Sequence, residues 1–213
     1  MSTFPLLAKK VGRGREVDEI TRHGICGRIG FRVSLERRIS LLKGVDYRVC
    51  VEAAEAIQLN RGALQLIESL RRLTDVKIGT ITGGFSILAE RVKERLSLDF
   101  AVSNELVFNA GRLSGVRVIV GEDKHVHMLS LAREFGISMS NTIAVGDGAN
   151  DVGMVRAAGL GIGFNAVPVL KKHAKISVNA ESLMALYPPI EEFVQKRLRI
   201  DNGWRIAGSE LVS

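Results

Sequence analysis

The stretch TIAVGDGANDVGMVRAAGLGIGF, residues 142–164, decides how the rest of the chain is read. Thr142–Val145 is a compact apolar run of strand length, Asn150–Ala158 reads as a helix, and Leu160–Phe164 is a second apolar strand. Between the first strand and the helix lies Gly146-Asp147-Gly148-Ala149-Asn150-Asp151. Its two glycines let the backbone turn sharply and approach a ligand closely, and Asn150 is placed to cap the helix. An aspartate at the carboxyl end of a buried strand points its oxygens into the crevice where ligands of open α/β sheets bind. Asp147 and Asp151, four apart across the turn, can face one point, and two carboxylates there suit a hard divalent cation, Mg2+. A plain loop, with Asp147 capping the helix and Asp151 adding charge at its amino end, also accommodates these residues.

The same alternation extends outward. Upstream, Gly62–Leu73 has helical spacing, Val76–Thr82 is β-rich and Phe85–Leu96 is helical; Phe100–Val102 is a short strand. Leu106–Phe108 and Leu113–Val120 form a hairpin around Asn109-Ala110-Gly111, and Asp123–Phe135 is a helix stopped by Gly136. Downstream come a helix over Val167–Ala174, a last strand Ile176–Val178, and a terminal helix Ala180–Arg197 interrupted by Pro188-Pro189. Short apolar strands alternating with helices define an α/β fold, a Rossmann-like three-layer α/β/α parallel sheet. Residues 16–60 read as helical pieces, a reduced helical cap over the sheet's edge. The expected organisation is a basic N-terminus over 1–15, the cap-like segment over 16–60, the core over 61–198 and a tail over 199–213.

Composition bounds the class. The chain has 213 residues, 46% hydrophobic and 25% charged, which fits one globular domain and excludes a disordered or collagen-like chain. The longest charge-free stretch, Ala157–Leu170, is too short and broken to span a bilayer, and no secretory signal pattern opens the sequence, so a cytoplasmic location and no membrane partner are expected. Cys26 and Cys50 form no C-x-x-C, which argues against a disulfide framework or thiolate zinc site. The net charge of +7 is concentrated in residues 1–44, with ten Lys/Arg against four Asp/Glu. No aromatic residues interleave these cations, so a solvated face beside an anion site is preferred to nucleic-acid binding.

Two further features lie where the sheet's ligand crevice should be. Thr82-Gly83-Gly84 follows a strand, where a hydroxyl and free N–H groups can cradle an anion. Lys124 opens a helix, where the dipole disfavours a cation, a placement that neutralising phosphate oxygens would explain. A hydroxyl with N–H donors, a lysine and paired carboxylates are parts that a phosphoryl-transfer site needs. Gly159-Leu160-Gly161-Ile162-Gly163-Phe164 is assigned to close packing within a strand, and His125 and His127, two apart on a helix, do not share a metal. Trp204 and the basic C-terminus read as a loosely ordered tail.

Residues 61–187 resemble the haloacid dehalogenase superfamily, its phosphoserine phosphatase branch in particular. The matching stretches are ITGGF (81–85), SNELVFNAGRLSG (103–115), Lys124, TIAVGDGANDVGMVRAAGLGIGFNAVP (142–168) and KKHAKISV (171–178). FRVSLERRISLLKG (31–44) resembles the helical cap. The resemblance implies a Mg2+-dependent phosphomonoester hydrolase acting on O-phosphoserine or a similar small phosphorylated metabolite. It implies that Thr82, Gly83 and Gly84 bind phosphate, that Lys124 neutralises it, and that Asn150 lies beside it. Asp147 and Asp151 are implied metal positions, Arg38 reads a substrate carboxylate, and Phe31 is an apolar substrate neighbour; a homodimer is also expected.

The pattern departs from the family at its start. The family's Asp-x-Asp, whose first aspartate attacks phosphorus, is not found; alignment through Val17-Asp18-Glu19-Ile20 puts Leu6 and Ala8 at those positions. Phe4–Ala8 is a candidate substitute strand without a carboxylate. The glutamate expected to meet a substrate amine falls on or beside Arg15, with Glu16 adjacent. The alternative function is therefore a non-catalytic pseudophosphatase that binds phosphorylated metabolites.

Overall fold

The computed structural model describes the backbone of residues 3–209 and the side chains of residues 7–199. Four helices come first: α1 (Thr3–Lys10), α2 (Gly14–Ile25), α3 (Phe31–Leu42) and α4 (Tyr47–Glu55). Phe4–Ala8, the candidate strand, thus lies within α1. Its proline falls in the first helical turn, where the missing N–H has no intrahelical partner to lose. Leu7 and Ala8 are buried and join Val17, Leu35, Ile39 and Leu42 in one apolar cluster, so packing against helices decides the conformation of this segment.

Helix α5 (Ala63–Leu73) leads into β1 (Gly79–Phe85), α6 (Ser86–Leu96), β2 (Phe100–Asn109) and β3 (Arg112–Arg117). The two strand pieces expected around residue 104 are one continuous strand, β2. It pairs parallel with β1 through its first half and antiparallel with β3 through its second. Then come α7 (His125–Glu134), β4 (Ile143–Gly146), α8 (Val152–Ala157), β5 (Leu160–Phe164), α9 (Pro168–Lys171), β6 (Ile176–Val178) and α10 (Tyr187–Ser209). Pro188-Pro189 does not interrupt the last helix. It lies in the first turn of α10, where proline is tolerated, and the backbone of α10 continues to Ser209 through the expected tail. Trp204 has its side chain outside the described residues.

The fold is α/β and Rossmann-like, with a correction to the single sheet expected: the strands form two three-stranded sheets, β1-β2-β3 and the all-parallel β4-β5-β6. Their edge strands β1 and β4 are not hydrogen-bonded to each other, and no described strand pairs with both, because the segment that precedes the cap is helical. Side chains join the halves instead: Ile81 of β1 packs on the apolar cluster that holds Ala144 of β4. Both strands end at one cavity. Gly161 shows why β5 carries glycines: a Cβ there would stand 2.0 Å from the Val155 carbonyl oxygen, so α8 packs directly on the strand backbone. No described helix is long and apolar enough to cross a membrane.

Candidate active site

A cavity of about 420 Å3 opens where the carboxyl ends of β1 and β4 meet the cap helices. Phe31, Arg38, Thr82, Gly83, Gly84, Lys124, Asp147 and Asn150 all line it. Eight positions spread over 120 residues of sequence are thus brought together, and Asp151 sits directly behind them.

The β1 side is built from a distortion of the sheet. Ile81 pairs with Val102 and Phe85 with Asn104, so four steps along β1 oppose two along β2 and Thr82-Gly83-Gly84 bulges out of the ladder toward the cavity. The Thr82 hydroxyl oxygen accepts the Gly84 N–H at 3.0 Å, which folds the bulge on itself. Asn104 braces it from behind. Wholly buried, it donates through Nδ2 to the Gly83 carbonyl (3.1 Å) and the Val120 carbonyl (3.2 Å). Its Oδ1 accepts the N–H groups of Ile119 (2.7 Å) and Val120 (2.8 Å). This single side chain ties the bulge to the segment that leads into Glu122 and Lys124. Sequence reasoning missed it. The available signal was an asparagine inside an otherwise apolar strand, where a polar side chain must find partners.

The β4 side is built by one carboxylate. Asp151, 3% exposed, accepts the Asp147 N–H (3.0 Å) and the Gly148 N–H (3.1 Å) on Oδ2, and its Oδ1 accepts from Lys124 Nζ at 2.6 Å. A buried lysine is thereby paired with a buried aspartate, and the Gly-Asp-Gly turn is closed by the residue that follows it. The room for that closure comes from Gly146, where a Cβ would stand 2.5 Å from the Asp151 Cβ. Asn150 makes no capping bond to the next helix; it lies on the cavity wall instead. Asp147 carries the carboxylate that opens on the cavity. Burial above all, then the neighbouring Asp151, raises its pKa above the ordinary aspartate value, with Lys124 pulling the other way.

The cap closes the third side. Arg38 is 6% exposed on α3, its Nε donating to the Ser34 carbonyl at 3.1 Å, and burial lowers its pKa to about 10, so the guanidinium stays charged at neutral pH. The Phe31 ring lies against the backbone of Gly83, where a Cβ would come within 2.4 Å of it; only glycine allows this approach of cap to bulge. The Phe31 N–H donates to Glu122 Oε1 at 2.9 Å, so a carboxylate of the core caps the amino end of α3. Glu122 is a cavity residue that the motifs did not single out. His125 and His127 are held apart, the first against Asp123 and the second on the Ile119 carbonyl, and no group of three potential metal ligands gathers among the described residues.

The strand ends of this α/β core thus bring a glycine bulge, a buried lysine and a carboxylate to one cavity. Residues 3–159 match the model of the haloacid dehalogenase-like hydrolases, and the chain belongs to that family. Within it, the chain is similar to phosphoserine phosphatases. It is 44% identical over 183 residues to that of Archaeoglobus fulgidus, covering 84% of this chain and 53% of the relative. It is 35% identical over 184 residues to that of Methanocaldococcus jannaschii, covering 85% and 87% of the two chains. The chain thus spans about half the length of the Archaeoglobus relative and most of the Methanocaldococcus one. Among solved structures, a phospho-aspartyl intermediate analogue of phosphoserine phosphatase superposes with a TM-score of 0.85 at 34% identity, over 89% of this chain and 91% of that one. A substrate-bound phosphoserine phosphatase complex superposes at 0.84 and 34%, with the same coverage.

Proposed function

We propose that this cavity binds O-phosphoserine or a similar small phosphorylated metabolite and that the protein is a phosphomonoester hydrolase. The observation that carries the reading is the buried Lys124, held by Asp151 at 2.6 Å, lining the same cavity as the Thr82-Gly83-Gly84 bulge. Phosphate oxygens would be received by the Thr82 hydroxyl, the Gly83 N–H and the Lys124 ammonium, donors already held in place before the ligand arrives. Arg38 would take a substrate carboxylate in the forked geometry that guanidinium offers, and the Phe31 ring would cover the carbon chain between the two anions. Hydrolysis cleaves the ester P–O bond, returning the alcohol with a proton and releasing inorganic phosphate with the oxygen of water.

The residues present fit Mg2+ in a limited way. The ion is commonly bound through one or two carboxylates with the remainder from water and substrate phosphate, and Asp147 supplies a cavity-facing carboxylate. Both Asp151 oxygens are already engaged, so Asp151 fits as the anchor of the loop that presents Asp147 and as the partner of Lys124. Bound there, a divalent cation would neutralise charge on phosphoryl oxygens.

One observation favours a second reading, binding without turnover. The positions aligned with the family's nucleophile and acid carry Leu6 and Ala8, and Ala8 is buried in the α1–α2–α3 cluster. The relatives favour hydrolysis. Phosphate release from O-phosphoserine with Mg2+, measured beside phosphoserine binding by calorimetry, separates the two. Turnover that Lys124→Ala abolishes supports the hydrolase. Binding with turnover no greater than that of Lys124→Ala supports the binder, and no binding removes both.

A further inference from the structure

Four charged side chains line the cavity: Arg38, Lys124, Asp147 and Glu122. The first three have tasks in the reading above. Glu122, exposed at the cavity's rim, does not, yet one of its oxygens is held. Its Oε1 accepts the Phe31 N–H at 2.9 Å and lies 2.9 Å from where a Cβ on Gly30 would be. Phe31 in turn lays its ring on Gly83, so one residue's width separates this carboxylate from the phosphate cradle. None of the ion pairs among the described residues involves Glu122. A backbone N–H holds one oxygen, and no described hydrogen bond takes the other.

We propose that Glu122 receives the ammonium group of the substrate and so makes the cavity selective for phosphorylated amino acids over phosphorylated hydroxy acids. The inference rests on the phosphoamino-acid reading and deepens it. A phosphorylated amino acid carries a dianion, a carboxylate and an ammonium. Lys124 and the bulge suit the first and Arg38 the second, but both cations repel the third. Glu122 is the acid on the cap side of the cavity, where the carbon bearing carboxylate and ammonium would lie once phosphate and Arg38 are engaged. Its fixed oxygen holds the carboxylate in place without neutralising it, because the donor is a neutral amide. A ligand with a hydroxyl in place of the ammonium would leave this charge without a counter-ion and would bring its own carboxylate near a like charge with nothing to offset it.

The test is calorimetric binding of O-phosphoserine and of 3-phosphoglycerate, in which a hydroxyl stands where phosphoserine has its ammonium, to the wild-type chain and to Glu122→Gln. Glutamine keeps an oxygen for the Phe31 N–H and removes the charge. The wild type is expected to prefer phosphoserine by about fivefold or more, the scale of a partly exposed ion pair. Glu122→Gln is expected to erase that preference by weakening phosphoserine binding while leaving 3-phosphoglycerate unchanged or tighter. Equal loss for both ligands would assign Glu122 to holding α3 alone and overturn the proposal. Tight, undiscriminating wild-type binding of both would overturn it while leaving the phosphate-site reading intact. Binding of neither would remove that reading and the proposal with it. If Glu122→Gln does not fold, Glu122→Asp, which shortens the carboxylate, is measured on the same two ligands, and an undiminished preference overturns the proposal.

Discussion

The two half-sheets present their ends to the same cavity but hold them there by opposite means. In β1-β2-β3 the functional turn is pushed out of the ladder by a bulge, and its brace, Asn104, comes from the neighbouring strand. In β4-β5-β6 the ladder is regular, and the turn after β4 is braced from within by Asp151, four residues on from Asp147. A distorted strand needs support from outside because its own backbone groups have left their partners. A regular strand ending in a tight turn can be closed by local sequence. The first half should therefore depend on long-range contacts, and the second on a few residues close in the chain.

Substitutions at the two braces separate these dependences. The largest effect is expected for Asp151→Ala. It strands a buried lysine and two amides together, and breaking a buried pair by removing one partner costs about 3–5 kcal/mol. Urea unfolding would read the loss. Asp151→Asn, which keeps one oxygen to accept both amides but loses the charge and the acceptor for Lys124, should recover part of it, whereas a full loss in both variants would show that the charge pair matters more than the turn. Asn104→Ala is expected to cost about 2–4 kcal/mol, because the Ile119 and Val120 N–H groups and the Gly83 carbonyl lose a buried partner together. Its distinguishing mark is in binding. Phosphate affinity should fall more than in a variant of equal stability loss placed in the α5–β5–α10 cluster, such as Ile162→Ala. Equal affinities would mean that the bulge keeps its shape without Asn104.

A smaller pair of effects comes from glycines in the two sheets. At Gly161 of β5 an added methyl meets the Val155 carbonyl, so Gly161→Ala is expected to cost about 1–3 kcal/mol through overpacking. At Gly115 of β3 nothing lies within 4 Å, and Gly115→Ala should be neutral or slightly stabilising. Thermal melts of the two variants would check the contrast. Matching shifts would show that the second sheet is no more tightly packed than the first.

The same contrast explains what was legible in the sequence. The β4 turn could be read from residues 146–151 alone because every group that closes it lies inside that window, although the spacing did not reveal that Asp151 faces Lys124 and the amides. The cradle at Thr82 was legible as composition, but its geometry was not: the bulge depends on register with β2, and Asn104 and Glu122 act across 21 and 91 residues of sequence. The split into two sheets was hidden for a similar reason. Whether Phe4–Ala8 becomes strand or helix is decided by partners such as Leu35 and Leu42 rather than by its own pattern. Arg38 and Phe31, by contrast, lay within a resemblance to a known cap, and the helical spacing that carried it survives in α3.

The smallest effect expected concerns the two cysteines, which report on the same boundary between cap and core. Cys26 is exposed at the end of α2, near the cavity, whereas Cys50 is buried in α4 within the cluster that joins α1 to β3. Burial first, and then Asp46, push the Cys50 thiol up to about 11. The thiolate is the reactive form, so at pH 8 a thiol reagent should label Cys26 quickly and leave Cys50 untouched until the chain unfolds. The sign of the stability effect follows from the same shift. The folded state holds the Cys50 proton more tightly than the unfolded chain, whose thiol titrates near 9. The contribution is therefore complete below pH 9 and is lost as the pH rises toward 11. Cys50→Ala, which removes the thiol, should flatten the fall in Tm over that window relative to wild type. Rapid native labelling of Cys50 would instead mean that the α1–α4 helices open readily from the β1 half, and the cap would then be the least stable wall of the cavity.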